Sequence, residues 1–343
     1  MPRGLGPGLT RASHIAMHLP GKYKLLNEIM VKKNMGKIRV LDLFCGAGGF
    51  SLGFKKQGFS ITGVDINPWS EKIFSLNHIG DFVQKDLMSE HIDGNFNIIL
   101  GGPPCRPFSS VNLRRRGEKH PNYPLVERYF DHISSLRPDL FFMENVPPVR
   151  NYQIFLDSVK RIEDEGYHVE SHVIHYSEFG ASTKRRRLIV FGGKDKKLVE
   201  KIIRIFNKRK AEPKTVGDAI KKYEGTPEKG YPDHEWPHLK TIHKYKDKYE
   251  SGQYGWYKLN YSQPAPSFGN IMKTYILHPN SDNNGTPARV ISVREAMAIM
   301  GFSPEFHFPE KMGIGLRYQM VVDVVSPTIS EIIADVVKEC YVR

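Results

Sequence analysis

From Ile38 onward, short apolar runs alternate with amphipathic stretches, and this alternation is the feature that most constrains the fold. Short apolar runs are typical of buried strands, and amphipathic stretches are typical of helices that cover a sheet. The pattern predicts an α/β fold that is doubly wound around a mostly parallel sheet. The predicted strands are Ile38–Phe44, Ile61–Val64, Phe96–Leu100, Leu140–Met143, His168–His175 and Leu188–Phe191.

Changes in composition divide the chain into four segments. Residues 1–36 are rich in glycine, proline and basic side chains, and we interpret them as a weakly ordered basic leader. The α/β pattern occupies residues 37–194. Residues 195–287 lose this periodicity after a basic helix, which predicts a smaller second region, and residues 288–343 return to helix-forming sequence. Helices are predicted at Lys194–Lys210, Val293–Met300 and Ser330–Val337.

The charge balance favours a polyanionic partner. The chain has 50 Lys and Arg against 37 Asp and Glu, a net charge of +13, so nucleic acid is the expected partner, although a basic surface kept for solubility is the alternative. Three scattered cysteines are too few for a disulfide framework or a zinc site, so we expect no metal and a reducing, cytoplasmic location. No apolar run reaches the ~20 residues of a membrane span, and no secretory signal is recognisable.

A glycine-rich turn follows the first predicted strand. The segment from Val40 to Gly49 reads as a strand, a turn and the start of a helix, where the backbone can approach a nucleotide-like cofactor closely. Such turns also bind NAD or FAD, or serve only as tight turns. Asp65 ends the next strand, where a carboxylate can accept hydrogen bonds from ribose hydroxyls, and Asp86 follows one unit later.

The third predicted strand ends in a proline-bounded turn that contains Cys105. Open α/β sheets bind their ligands at the carboxyl ends of the strands, so this cysteine is a candidate nucleophile. The preceding prolines and the following Arg106 predict an exposed, electropositive site that favours the thiolate. The alternative is a small buried cysteine in a loop.

Two further segments place charged side chains at the same edge. Glu144 directly follows an apolar run, which predicts a partly desolvated acid for proton handling in the crevice of Cys105. The segment from Lys184 to Arg187 precedes another apolar strand. Strand alternation would aim Arg185 and Arg187 to one side and Arg186 to the other, so the first two are candidates for binding substrate together.

In this order, the pieces resemble the DNA (cytosine-5) methyltransferase family of restriction-modification systems. The resemblance extends from Ile38 to the C-terminus and includes Arg294-Glu295 ahead of a helix. It implies a Rossmann-like S-adenosylmethionine-dependent methyltransferase fold. It also makes residues 195–287 a target-recognition domain, and it makes residues 288–343 a segment that returns to the catalytic domain.

The resemblance also assigns roles to individual residues. Cys105 would be the nucleophile, Glu144 would meet the N3 edge of the cytosine, and Arg185 and Arg187 would hold the flipped base and the active-site loop. The cofactor S-adenosylmethionine would be bound by Phe44, Gly46, Gly48, Asp65, Ile66 and Asp86.

Three positions depart from the family pattern. Arg106 follows the cysteine where bacterial members commonly have Gln, and Ser182-Thr183 stands where Pro-Gln is usual. Asp323 replaces an asparagine near the methionine part of the cofactor, so we count it among the cofactor-binding residues. None of the three removes the nucleophile or the acid.

Double-stranded DNA is the expected partner, and we expect the protein to bind it as a monomer. A cognate restriction endonuclease would be a functional partner. The residues expected to contact DNA are Arg106, Ser109, Arg114, Arg115, Arg116, Lys240, Lys244 and Gln253. Three alternatives stay open: a tRNA cytosine-5 methyltransferase, a catalytically silent DNA-binding regulator and an NAD-dependent oxidoreductase. The last would leave the cysteine turn and Glu144 unexplained.

Overall fold

The computed structural model describes residues 38–109, 116–240, 242, 244, 251, 256–281 and 287–342. Within these ranges the centre of the fold is a seven-stranded sheet with the strand order β3-β2-β1-β4-β5-β7-β6. The strands are β1 (Arg39–Leu43), β2 (Ser60–Asp65), β3 (Asp81–Gln84), β4 (Ile98–Gly101), β5 (Leu140–Asn145), β6 (His168–His175) and β7 (Arg186–Gly193).

The sheet is mostly parallel, as the alternation of apolar and amphipathic segments predicts. Strands β1 to β5 pair in parallel, whereas β7 runs antiparallel to both β5 and β6. The carboxyl ends of β1, β2, β4 and β5 therefore meet at one edge, and the antiparallel β7 begins at that same edge. Strand β3 was not predicted, because it has only four residues, of which two are apolar, and it is largely exposed.

Helices cover both faces of the sheet. They are α1 (Gly49–Gln57), α2 (Pro68–Leu76), α3 (Leu125–Leu136), α4 (Gln153–Asp164), α5 (Lys196–Lys208), α6 (Val216–Ile220), α7 (Val293–Met300), α8 (Ile314–Asp323) and α9 (Pro327–Tyr341). All three predicted helices are present. Helix α7 has the predicted bounds because Ser292 and Glu295 form a capping box at its start, and α9 extends the prediction at both ends. No helix in the described ranges is long and apolar enough to cross a membrane.

The C-terminal helix α9 packs directly on α1, the helix that follows the glycine-rich turn. Helices α9 and α1 lie so close that Gly53 touches the backbone of α9, and the Ser330 hydroxyl donates to the carbonyl of Phe50. The backbone of Val325 likewise approaches Gly49 closely. The end of the chain thereby forms one wall of the space beside the turn.

The second region has little regular structure where it is described. It contains a two-stranded parallel sheet of β8 (Tyr257–Lys258) and β9 (Ile276–Leu277). Trp256 is half-buried against Tyr275, with ring centroids 4.4 Å apart, so it packs within this region. The apolar residues of the region join the core on the α1, α5 and α9 face of the sheet. The domain boundaries at 195 and 287 stay a prediction.

Candidate functional site

A cavity of about 640 Å³ opens at the carboxyl edge of the sheet. Ten of the residues selected from the sequence line it: Phe44, Gly46, Asp65, Ile66, Asp86, Cys105, Arg106, Glu144, Arg185 and Asp323. They come from seven separate segments of the chain, so the sheet topology brings them together. A larger, open cleft of about 1320 Å³ lies between α2 and residues 229–235, and none of the predicted site residues lines it. We therefore place the chemistry in the smaller cavity.

The glycine-rich turn forms the floor of the cavity. Phe44, Gly46 and Gly48 all have positive φ, a conformation that glycine adopts without strain. A Cβ at Gly46 would meet nothing within 4 Å, so the backbone there is open to the cavity. A Cβ at Gly48 would instead lie 2.7 Å from Ile79, and Gly48 does not line the cavity. Gly48 serves the turn and the start of α1.

Asp65 connects the turn to the end of β2. One carboxylate oxygen accepts from the Gly46 N–H at 2.8 Å, and the other accepts from the Asn67 N–H at 2.9 Å. Burial raises the pKa of Asp65, and these two bonds oppose the rise. Each oxygen keeps lone pairs for further donors. Beside it, the Ile66 side chain is 60% exposed and lines the cavity, and Asp86 accepts from the Met88 N–H at 2.9 Å.

A further carboxylate on this side, Asp42, was missed by the sequence analysis. Asp42, within β1, is 1% exposed and accepts a hydrogen bond of 2.6 Å from the Ser51 hydroxyl of α1. Desolvation raises its pKa to about 7. The available signal was an acid inside an otherwise apolar strand, where a charge is expensive to bury unless it is paired or protonated.

The turn that carries Cys105 is held from the neighbouring strand. Asn145, fully buried at the end of β5, donates to the Pro103 carbonyl at 3.0 Å. The Cys105 carbonyl accepts from the Phe108 N–H at 3.0 Å, which closes the turn. Asn145 was not selected from the sequence, because its role depends on a contact that only the fold creates.

Glu144 lies at the centre of a small polar cluster. Its Oε1 accepts from the Tyr176 hydroxyl at 2.9 Å and forms an ion pair with Arg187, 2.9 Å from Nε. Tyr176 is fully buried and was missed, since an aromatic residue after a strand gives no distinctive signal. As strand alternation predicts, Arg186 is exposed, whereas Arg185 and Arg187 turn inward.

Arg185 is the most unusual member of the cluster. Its side chain is 4% exposed, and its Nε is buried with no hydrogen-bond partner in the part of the chain that the structure describes. Burial and the neighbouring Arg187 lower its pKa. A buried donor without an acceptor is destabilising, so this position is suited to a ligand that supplies one.

The expectation of a thiolate-favouring site at Cys105 was wrong for this structure. Burial raises the pKa of the Cys105 thiol, and the carboxylates of Glu144 and Asp323 raise it further, against the opposing effect of Arg187 and Arg185. The side chain is partly exposed to the cavity. The expectation came from the preceding prolines and Arg106, and the burial of the Cys105 side chain, which is the largest cause of the raised pKa, was not evident from the sequence.

The predicted DNA-contacting residues are spread over the surface. Arg106 is exposed at the mouth of the cavity, and Arg116, Lys240 and Lys244 are exposed elsewhere. Ser109 is half-buried and does not line the cavity. The remaining predicted contacts lie outside the described residues: Arg114, Arg115 and Gln253.

One group of side chains outside the cavity has ligand atoms within 4.8 Å of one another. It consists of His168 and Glu170 on β6 and Glu200 on α5. Glu170 already accepts from ring nitrogens of His168 and His172 at 3.0 and 3.2 Å. These hydrogen bonds explain the cluster, and it has no part in the site.

Comparison with known proteins identifies relatives over most of the chain. Residues 38–339 match a family model described as C-5 cytosine-specific DNA methylase. A putative type II methyltransferase of Methanocaldococcus jannaschii is 26% identical over 332 residues, 88% of this chain and 99% of that protein. A type II methyltransferase of Herpetosiphon aurantiacus is 27% identical over 79% of this chain and 85% of that protein. A type II methylase of the same organism is 31% identical, over 45% of this chain and 47% of its own length.

Solved structures share the fold. A putative DNA modification methyltransferase encoded within a prophage (E. coli) superposes with a TM-score of 0.66 at 22% identity, covering 88% of this chain and 99% of that one. The S. pombe Dnmt2 methyltransferase superposes with a TM-score of 0.67 at 15% identity, and the superposition covers 89% of this chain and 99% of that one.

Proposed function

This chain belongs to the C-5 cytosine-specific DNA methylase family and is thus a DNA (cytosine-5) methyltransferase, and from that premise we propose its substrate and mechanism. We propose that it transfers a methyl group from S-adenosylmethionine to C5 of a flipped cytosine within a specific duplex DNA sequence. The reaction proceeds through a covalent bond between Cys105 and C6 of the base. A cognate restriction endonuclease belongs to the same proposal as a functional partner.

The observation that carries the proposal is the composition of one cavity. It combines the thiol of Cys105, the carboxylate of Glu144 and the guanidinium of Arg185, whose Nε has no hydrogen-bond partner among the described residues, with the open backbone of Gly46 and the carboxylate of Asp65. The first three suit a base that must be attacked and hydrogen-bonded, and the other two suit a nucleoside cofactor. A binding-only protein would not need the thiol at this position.

The residues present fit S-adenosylmethionine. Asp65 has lone pairs for the ribose hydroxyls, Ile66 offers an apolar surface to the adenine ring, and the backbone at Gly46 leaves open space. Asp86 and Asp323 add carboxylates at the rim for the polar groups of the cofactor. When bound, S-adenosylmethionine supplies an activated methyl group for C5.

The remaining chemistry belongs to the protein. Cytosine C5 is a poor nucleophile, so the Cys105 thiolate adds to C6 and the electron pair of the C5–C6 bond becomes available at C5. Glu144 shares a proton with N3 and so stabilises the charge that this addition creates. Arg185 donates its unpartnered N–H to the carbonyl oxygen of the base. After methylation, water removes the C5 proton, the C6–S bond breaks and the thiolate leaves.

The target base must leave the duplex before Cys105 can reach it, which costs roughly a few kcal/mol. Arg106 directly follows the nucleophile and lines the cavity that receives the extruded base. Arg106 and Arg116 are exposed for phosphate contacts, and Lys240 and Lys244 supply basic groups in the second region. Residues 195–287 read the sequence of the duplex.

The proposal is tested by assaying methyl transfer with the full chain. The protein is incubated with S-adenosylmethionine and either duplex DNA or tRNA, and product cytosines are mapped by bisulfite sequencing. We expect 5-methylcytosine at a defined duplex sequence. Methylation of tRNA alone would replace the substrate by the tRNA alternative, and failure to modify either polymer would contradict the proposed activity.

A further inference from the structure

A directed chain of hydrogen bonds runs from the second region to the cavity. The Met272 backbone N–H donates to Oδ1 of Asn270 at 3.0 Å, and Nδ2 of Asn270 donates to Oε1 of Gln319 at 3.0 Å. Nε2 of Gln319 then donates to Oδ2 of Asp323 at 2.6 Å. Asp323 lines the same cavity as Cys105. Two hydrogen bonds, from Asn270 to Gln319 and from Gln319 to Asp323, thus connect the segment at residue 270 with the wall of the site.

The first donor fixes the direction of this series of hydrogen bonds. A backbone N–H can only donate, so the atom of Asn270 that meets it must be the oxygen, and its NH₂ group must face Gln319. The Gln319 amide is then oriented with its own NH₂ toward Asp323. This series of hydrogen bonds therefore requires an acceptor at position 323, and the carboxylate of Asp323 provides one.

Helix α8 presents these groups on one face. Gly315, Gln319 and Asp323 are spaced by four residues, and Nδ2 of Asn270 also donates to the Gly315 carbonyl at 3.0 Å. Asp323 is the last residue of α8. A negative charge at the C-terminal end of a helix is disfavoured by the helix dipole, so helix stability does not account for this carboxylate. Its position in the wall of the cavity points instead to a role toward a bound ligand.

The charge of Asp323 acts on the reacting centre. The pKa of Cys105 is raised mainly by burial and further by Glu144 and Asp323, while Arg187 and Arg185 oppose this. A cationic group bound in the cavity would face the Asp323 carboxylate. The position of that carboxylate therefore affects both the cofactor and the nucleophile.

We propose that Gln319 and Asn270 are positioning residues that hold the Asp323 carboxylate toward the cationic end of S-adenosylmethionine, and so connect the cofactor pocket to the second region. This inference rests on the proposed function. It goes further because it assigns the residues that place the carboxylate, and because it makes cofactor affinity depend on a segment outside the α/β pattern.

The test is a double-mutant cycle on the full chain, read by calorimetric titration with S-adenosylmethionine. We expect Asp323→Asn to weaken binding about tenfold, and Gln319→Leu to weaken it about threefold in the wild-type background. In the Asp323→Asn background, Gln319→Leu should have no further effect, because Gln319 acts through the carboxylate. Gln153→Leu is the matched control, since Gln153 makes the same four-residue contact with Asp157 on α4. It should leave cofactor affinity unchanged.

A readout without cofactor separates the two proposals. In the free protein, Asp323→Asn should lower the midpoint of the pH dependence of Cys105 alkylation by iodoacetamide by about half a pH unit, because a negative charge is removed. An equal effect of Gln319→Leu in both backgrounds, or an unchanged alkylation midpoint, would overturn the inference. Failure of the wild type to bind S-adenosylmethionine would overturn the proposed function instead.

Discussion

At the scale of single residues, the site depends on groups whose environment is set by contacts distant in sequence. The sequence identified Cys105, Glu144 and Asp65 because each follows a predicted strand, at the sheet edge where α/β folds place their ligands, and it identified Arg185 and Arg187 because they precede one. Asp42, Asn145 and Tyr176 were missed, since their partners lie 9, 42 and 32 residues away. The pKa of Cys105 was misjudged because the burial that raises it was not evident from the sequence.

Asp65→Ala tests the cofactor side of the cavity. The substitution removes the acceptor that we assign to the ribose, so S-adenosylmethionine affinity should fall by about 1–3 kcal/mol while DNA affinity changes little. Calorimetry measures the first quantity and fluorescence anisotropy the second. Unchanged cofactor affinity would place the ribose elsewhere.

Asp42→Asn tests the buried acid. The folded-state pKa of Asp42 is about 7, against 3.8 for the free side chain. Its protonation therefore stabilises the fold fully below about pH 4, and this contribution is lost as the pH rises through about 7. Relative to the wild type, Asp42→Asn should gain stability on the order of a few kcal/mol between pH 5 and pH 8, measured by urea denaturation. Parallel stability curves for the two proteins would show that Asp42 does not titrate in this range.

At the scale of elements, the packing of α9 on α1 fixes the walls of the cavity. The sequence predicted both helices but not their contact, because a helical pattern shows which face is buried and not which partner covers it. The short strand β3 was also invisible to the pattern, since edge strands carry few apolar residues. The long apolar runs of β1, β4, β5 and β7 were predicted, although their ends shift by up to a few residues.

Gly53→Ala tests the helix contact. A Cβ at Gly53 would lie 2.2 Å from the backbone carbon of Ser330 and 2.3 Å from the nitrogen of Glu331, so α1 and α9 must separate. We expect a loss of at least about 2 kcal/mol in the free energy of unfolding. Gly315→Ala in α8 is the control, because its Cβ would first meet the Met272 side chain at 3.6 Å, an ordinary contact. Equal stability of the two variants would contradict this close packing.

At the scale of the whole molecule, we expect chemistry and sequence recognition to reside in different parts of the chain. Lys240 is exposed in the second region, and Lys160 is exposed on α4 of the first. Lys240→Ala should weaken binding to all duplexes and reduce the salt dependence by roughly one unit, whereas Lys160→Ala should not. Affinity measured over a salt series checks this. An unchanged slope for Lys240→Ala would remove this lysine from the DNA interface.

The central claim is that Cys105 bonds covalently to the target base, and a duplex carrying 5-fluorocytosine at the methylated position tests it most directly. Fluorine at C5 cannot leave as a proton, so the reaction should stop at the Cys105 adduct. We predict a complex that survives denaturing electrophoresis, that requires S-adenosylmethionine and that is absent with Cys105→Ser. A duplex that is methylated normally but forms no such complex, or a complex that persists with Cys105→Ser, would contradict the account.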